Sequence, residues 1–306
     1  MSKIKELHFR LFLYVSSIFP IFIIRPIIKN MLRKRSKTEE GYEESCNRLI
    51  DFGTESIGTI RIPSKYWKKN PIVKSYSLGL KFKLDLRDNS QRCLYFNGTY
   101  EPETLEFLRN IIKENDVFVD IGAHVGIHAL VVAKELKLTG GKGKVIAFEP
   151  TNDSFSSLQH NCLLNNLTIE AYNLALGDKK ERTEIFGDRK WGKHDAAVRS
   201  LFGDGEVVQN VYMDTFDNWI IDKNIDQINV VKMDVEGAEY KVLKGMVNTL
   251  RNMKPQYLII EIKHSLLFKA NIEIKDIFEI LNNLNYVNSK IIEDNYIFKN
   301  LSYDQQ

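Results

Sequence analysis

Residues 117–126, VFVDIGAHVG, pass from an apolar, β-rich stretch into a glycine-bearing turn and on into GIHALVVAKEL (126–136), whose apolar residues recur at helical spacing. The unit predicts a strand, a tight turn and a helix. Gly122 and Gly126 stand where backbone must come close to a ligand and where the first N–H groups of a helix point outward. Two readings follow: a site for a nucleotide-like cofactor, or a tight turn with a structural role only.

The flanking residues separate the two. Glu149 closes the next β-rich run, KVIAFE (144–149), and a carboxylate at a strand end offers two oxygens to the two neighbouring hydroxyls of a ribose. NAD and FAD binders share that feature, but their G-x-G-x-x-G turn admits a pyrophosphate, whereas here Ala123, His124 and Val125 separate the two glycines. Asp120, at the mouth of the first strand, suits a cationic amino-acid moiety better than a pyrophosphate. S-adenosyl-L-methionine carries that moiety and no phosphate. Asp120, Gly122, Ala123, His124, Gly126 and Glu149 are therefore the expected cofactor-binding residues.

Outward from this unit, short β-rich runs alternate with helical ones: DSFSSLQHNCLLNN (153–166), IEAYNLAL (169–176), INVVKMD (228–234), GAEYKVLKGMVNTL (237–250), YLIIEI (257–262) and IKDIFEILNNL (274–284). Alternation of this kind predicts an α/β fold with a doubly wound, mostly parallel, Rossmann-like sheet. YVNSKII (286–292) and NYIFK (295–299), joined by Glu293–Asp294, predict a C-terminal antiparallel hairpin. Residues 177–227 form an insertion with strand-like TEIF and VVQNVYM, longer than an ordinary crossover loop. Its Trp191, His194, Asp195 and Arg199 are candidates for an acceptor pocket or for an exposed loop. Upstream, Ile72–Leu86 alternates around Gly79 as a hairpin does, and Pro102–Lys113 has helical spacing.

Asp234 and Glu236 follow the fourth strand of the series, at the sheet edge where doubly wound folds bind ligands. Asp234 is a candidate for cofactor or acceptor positioning and for proton acceptance, in a setting that raises carboxyl pKa values. Glu239 reads as a partner of the helix dipole. His264, after the strand LIIEI, is either a strand-end loop residue or a general base. Glu261 can orient His264 or bind acceptor hydroxyls, and Glu101, Glu236 and Glu261 are the candidate acceptor residues. His124 and His128 stand four apart, but no H-E-x-x-H motif and no third ligand accompany them, so no metal is expected.

In order, DIGAHVG, IAFEP, NLALGD, YMDTFDNW, VVKMDVEGAEYKVLKG and LIIEIKHS resemble the motifs of FkbM-type S-adenosylmethionine-dependent methyltransferases, over roughly Leu94 to Tyr286. The resemblance implies a class I methyltransferase sheet, Asp120, Gly122 and Gly126 at the methionine part, Glu149 at the ribose and Asp234 facing the sulfonium. His124 departs from the pattern, which more often has Asn there. A sugar hydroxyl is the acceptor that the resemblance favours. Residue chemistry alone reaches methyl transfer to a hydroxyl of a small polar acceptor, with methylation of a protein or lipid, or a non-catalytic cofactor-binding module recruited to a membrane, as the alternatives.

Charge separates the N-terminus from the rest. Residues 1–37 carry nine Lys or Arg and one Glu, net +8, leaving 34 Lys and Arg against 39 Asp and Glu in the remainder. That balance excludes a nucleic-acid binder whose affinity rests on phosphate neutralisation. Leu11–Ile24 is mostly apolar, yet 14 helical residues cover only about 21 Å of a roughly 30 Å hydrocarbon core. Flanked by Lys and Arg, the arm suits an anionic membrane surface, with packing on the domain, a span or a signal anchor as alternatives. Three scattered cysteines exclude a disulfide framework and fit a reducing cytoplasm, with peripheral attachment to the cytoplasmic membrane face. The division expected is an arm at 1–37, a polar linker with an accessory hairpin and helix at 38–115, and a cofactor domain at 116–300 that carries the insertion 177–227.

Overall fold

The computed structural model describes residues 69–75, 78–187 and 199–303, so the basic arm, the linker and the tip of the insertion with Trp191, His194 and Asp195 lie outside the described residues. Its elements in chain order are β1 (Lys69–Ser75), β2 (Leu80–Asp85), α1 (Asn89–Asn97), α2 (Pro102–Ile111), β3 (Val117–Ile121), α3 (Ile127–Thr139), β4 (Lys144–Phe148), α4 (Asn152–Asn165), β5 (Glu170–Tyr172), β6 (Ala175–Leu176), β7 (Glu181–Phe186), β8 (Val207–Asp214), α5 (Phe216–Trp219), β9 (Val230–Met233), α6 (Glu239–Lys244), α7 (Val247–Met253), β10 (Tyr257–Glu261), α8 (His264–Lys269), α9 (Ile274–Asn282), β11 (Tyr286–Ile292) and β12 (Asn295–Asn300).

The main sheet has seven strands in the order β11-β12-β10-β9-β3-β4-β5. β10, β9, β3, β4 and β5 run parallel, and β12 and β11 close the edge antiparallel. All five residues of β3 and all four of β9 are buried, because helices cover both faces of a parallel sheet and leave no polar side. Chain order reverses between β3 and β9, so their carboxyl ends open the crevice in which such sheets take ligands. Phe118 and Val230 belong to the core on one face, with Leu130 of α3; Val119, Ile121, Val231 and Met233 belong to the other, with Leu243 and Leu250. Alternation therefore puts Asp120 and Lys232, which are register partners, on the α3 face.

The accessory hairpin shares this core. Phe82 and Leu84 of β2 pack in the cluster that holds Phe118 and Leu130. Burying each such side chain contributes about 1.5–3 kcal/mol. Buried Asn161 of α4 ties the pieces: its Oδ1 accepts from Lys83 N at 2.7 Å and its Nδ2 donates to the Val125 carbonyl at 3.0 Å.

Two predicted elements are divided. IEAYNLAL is not one strand: after β5, the Asn173 side chain donates to the Glu149 and Pro150 carbonyls, and the chain leaves to begin a second sheet, β6-β8-β7. GAEYKVLKGMVNTL is two helices, because Gly245 packs so closely that a Cβ there would lie 1.8 Å from the Gly177 carbonyl oxygen. α1 and α8 are additional helices that hydrophobic periodicity did not indicate. Among the described residues, no helix is long and apolar enough to cross a membrane.

Candidate active site

The turn after β3 is pinned over the end of β4. The amides of Gly122 and Ala123 both donate to the Phe148 carbonyl at 2.9 Å, and Gly126 N donates to Ala123 O at 2.8 Å. Gly122 (φ +81°) and Gly126 (φ +88°) take left-handed backbone, as does His124 (φ +53°) between them. Asn tolerates that conformation readily; His occupies it here because its ring is anchored.

The anchor is Asp88, the N-cap of α1, which is 1% exposed. Its carboxylate accepts from Gln91 N at 2.9 Å and Ser90 Oγ at 2.8 Å and lies 3.4 Å from His124 Nε2. Burial alone would push the imidazole down, but the Asp88 charge outweighs it and holds His124 up at about 9. Asp88 correspondingly sits far below the usual carboxylate range: burial opposes this and His124 overrides it. Glu149 adds attraction to His124 and Arg199 adds repulsion, Arg199 being itself bound by Asp153 at 2.6 and 2.8 Å. The sign of the linkage follows. His124, raised above its ordinary 6.5, stabilises the fold fully below that pH and loses the contribution as pH climbs through about 9. The wild type's thermal midpoint should therefore fall as pH rises from 6.5 to about 9, whereas Asp88→Asn, which lacks the anion, should be less stable at pH 6 and show no such fall across that window. Melting curves across this range check the pairing; parallel curves would reject it.

Glu149 is buried at the cavity wall. Its Oε1 accepts from Thr151 N at 2.9 Å and Thr151 Oγ1 at 2.5 Å, and its Oε2 accepts from His124 N at 2.9 Å. Burial pushes its pKa up, against these donors. The expectation of two ribose hydroxyls on two open oxygens needs revision. Thr151 fills Oε1, and Oε2 keeps one lone pair for one hydroxyl, a second requiring the Thr151 hydroxyl to turn away.

At the other end of the cavity, Lys232 (1% exposed) projects between acidic groups, its Nζ 3.3 Å from Asp234 Oδ2. Asp234 was expected in a setting that raises its pKa. Burial does push that way, but the Lys232 ammonium and a hydrogen bond from Glu261 hold Asp234 far below the ordinary range. Glu261 moves the opposite way, raised by burial and then by the Asp234 charge. Within the pair the negative charge thus falls on Asp234 in preference to Glu261. Glu236 lines the cavity, accepts from Lys263 Nζ at 2.6 Å and is pushed up to about 8 by burial. Glu101 (φ +45°) sits behind the cavity, its Oε2 accepting from Asn295 Nδ2 at 3.1 Å. His128 Nε2 lies 3.2 Å from that oxygen, at ion-pair distance without hydrogen-bond geometry. Buried Asp120 is approached by the Ala129 amide, but neither of its oxygens makes a well-formed hydrogen bond among the described residues.

Of the residues expected from sequence, Gly122, Ala123, His124, Glu149, Asp234 and Glu236 line one cavity. Asp120, Glu101 and Glu261 adjoin it through their electrostatic contacts with Lys232 and Asp234. Gly126 shapes the turn from behind, where a Cβ would lie 2.3 Å from Leu158 Cδ1. The structure does not bring His264 in: it is exposed at the start of α8, its Nε2 3.3 Å from the Tyr296 hydroxyl. Glu239 is no plain dipole partner, because burial raises it to about 7 and it accepts from Gly237 N at 3.0 Å. Asp88, Lys232 and Lys263 were not singled out beforehand, whereas Arg199, a candidate for an acceptor pocket, lines the cavity. The N-cap role of Asp88 is a local property, but its partner His124 lies on another segment and carries no signal of the pairing.

The chain matches the Methyltransferase FkbM domain over residues 120–287, the span that contains the turn, Glu149, Asp234 and Glu261. The chain belongs to the FkbM methyltransferase family. Among curated proteins similar to this FkbM methyltransferase is the hexuronic acid methyltransferase AglP of Haloferax volcanii, 27% identical over 245 residues, covering 76% of this chain and 86% of that protein. Methyltransferase sdnD of Sordaria araneosa is 25% identical over 166 residues, 44% of this chain and 62% of that one. Among solved structures, M. jannaschii TYW2 in complex with AdoMet aligns at a TM-score of 0.37 with 17% identity, over 76% of this chain and 88% of that chain.

The FkbM methyltransferase uses S-adenosylmethionine, and its residues fit that cofactor. The backbone at Gly122 leaves no room for a Cβ, the loop beside it is held open to the cavity, and Glu149 keeps a lone pair for a hydroxyl. Glu149→Ala should weaken binding of S-adenosylhomocysteine by about 1.5–3 kcal/mol, the scale of one hydrogen bond to a charged group. Calorimetric titration of a folded variant with unchanged affinity would remove Glu149 from the ribose.

Proposed function

We propose that this S-adenosylmethionine-dependent methyltransferase transfers the methyl group to a hydroxyl oxygen of a sugar, an acidic sugar first among the candidates. The observation that carries the reading is the ionised Asp234 at the carboxyl end of β9, at the wall of the cofactor cavity. The relative from Haloferax volcanii, whose name specifies hexuronic acid, supports the acceptor class.

The cofactor, when bound, supplies an electrophilic methyl, so the chain's own tasks are to hold, align, exclude water and move one proton. Asp120, Gly122 and Gly126 hold the methionine part, Asp120 taking its cationic amino group, and Glu149 holds the ribose. Asp234 receives the hydroxyl proton. A carboxylate with a depressed pKa is a weak base in water, but an oxygen that is gaining a methyl becomes far more acidic than any carboxylic acid, so a weak base at the right place suffices. Lys232, with its Nζ 3.3 Å from Asp234, favours the ionised form of that carboxylate.

An acceptor screen over uronic acids, neutral sugars, a peptide and a lipid, read by S-adenosylhomocysteine release, tests the assignment. Turnover on sugars is expected. Turnover only on the peptide or lipid would move the acceptor to another class, and binding of cofactor without turnover on any acceptor would leave a cofactor-binding module.

A further inference from the structure

Three carboxylates from segments remote in sequence converge beside the cavity. One oxygen from each of Glu101, Asp234 and Glu261 lies within 4.8 Å of the others. Each residue also has its outward contact: Glu101 Oε2 with Asn295 and His128, Asp234 Oδ2 with Lys232, Glu261 Oε1 with Lys263. Glu101 Oε1, Asp234 Oδ1 and Glu261 Oε2 stay outside those contacts.

A second observation comes from β12. Asn295 is fully buried, and it is the register partner of Glu261, which brings the two side chains to about 5 Å. Its Nδ2 donates to Glu101 Oε2 at 3.1 Å and to Thr104 Oγ1 at 3.2 Å, which fixes the orientation of the carboxamide. The Oδ1 that remains has no hydrogen-bond partner among the described residues. The buried Asn295 carboxamide thus stands beside both Glu101 and Glu261, and its oxygen is left without a donor, a group that calls for a ligand.

We propose that Glu101, Asp234, Glu261 and Asn295 form a site for one hard divalent cation of the magnesium, manganese or calcium class. Four oxygens with no sulfur or imidazole in the set select that class over zinc. The site deepens the hydroxyl-transfer reading, on which its role rests: a sugar hydroxyl entering at Asp234 would meet the cation and lose its proton more readily.

The test is a titration of the full-length protein with Mn²⁺ alone, free ion being read by electron paramagnetic resonance, with no acceptor present. One saturable site per chain is expected, unaffected by saturating S-adenosylhomocysteine. Glu101→Gln and Glu261→Gln should each weaken it by at least about tenfold. Absence of saturable binding up to about 1 mM, the weak end of protein sites for such ions, overturns the proposal. So does retention of the site by a folded Glu101→Gln/Glu261→Gln double variant, or displacement of Mn²⁺ by S-adenosylhomocysteine, which would assign the carboxylates to the cofactor's ammonium. The wild-type titration decides even if a variant fails to fold. Because it requires no turnover, its failure is distinct from a failure to methylate sugars.

Discussion

Gly122→Val is expected to abolish cofactor binding. Gly122 sits where β3 crosses the end of β9, and even the first carbon of a side chain there would lie 1.8 Å from the Asp234 carbonyl oxygen and 2.8 Å from its carbonyl carbon. Backbone at that point is held from both sides: Asp234 N donates to Ile121 O at 2.9 Å, and Gly122 N donates to Phe148 O at 2.9 Å. Neither strand can retreat without breaking the ladder between β3 and β9. The left-handed φ adds roughly 1–2 kcal/mol of strain for any residue with a Cβ, and a β-branched side chain fits worst. We expect affinity for S-adenosylhomocysteine to fall by at least about a hundredfold, some 3 kcal/mol, even in the fraction that folds. Calorimetry on samples shown to be folded by circular dichroism makes the measurement. Wild-type affinity in folded Gly122→Val would mean that the cofactor does not approach this turn.

Asp234→Asn carries the second large effect. The substitution keeps the size of the side chain and removes the charge that is to receive the acceptor's proton. Turnover should fall by roughly 10²–10⁴, the range for loss of a positioned base. Cofactor affinity should change only severalfold, since Glu149 and the turn remain in place. Lys232 loses its nearest anion, yet Glu101, Asp120 and Glu261 still surround it, so the fold should survive. His264→Ala is the control. That residue is exposed and meets only the Tyr296 hydroxyl in its described contacts, so its variant should turn over normally. Initial rates for the two variants on one acceptor settle the comparison, and a fast Asp234→Asn beside a slow His264→Ala would reverse the assignment.

What was legible in the sequence was whatever local chemistry dictates. The apolar runs of β3, β4, β9 and β10, each bounded by a glycine, a proline or a carboxylate, announced a parallel sheet, and the hairpins around Gly79 and Glu293–Asp294 were as expected. Turn and strand-end residues such as Gly122, Glu149 and Asp234 could be placed because position at a strand terminus is a local property. The pairings were not legible. Asp88 meets His124, and Asn295 meets Glu101, only through the sheet order and the docking of α1 and α2, which no spacing encodes. Charge state was hidden for the same reason: Asp234 looked like a carboxyl with a raised pKa until Lys232, two residues earlier on the same strand, folded back against it. His264 misled because the strand before it ends at the right edge, while α8 begins at once and carries the ring outward.

The small sheet has a bearing on how such a molecule diversifies. The chain departs through β6 and returns through β8, and these strands are parallel neighbours, with Ala175 opposite Met213 and Leu176 opposite Asp214. Gly177 N donates to Asp214 O at 3.0 Å, so the excursion leaves and re-enters through a single closed doorway. Ile185, Arg199, Ser200 and Leu201, all carried on the excursion, reach the cavity wall. A segment joined at one point can be lengthened or redrawn without cutting a strand of the seven-stranded sheet. The doorway therefore gives chimeric enzymes a pair of splice points, at residues 177 and 213, that exchange one wall of the cavity and leave the main sheet whole.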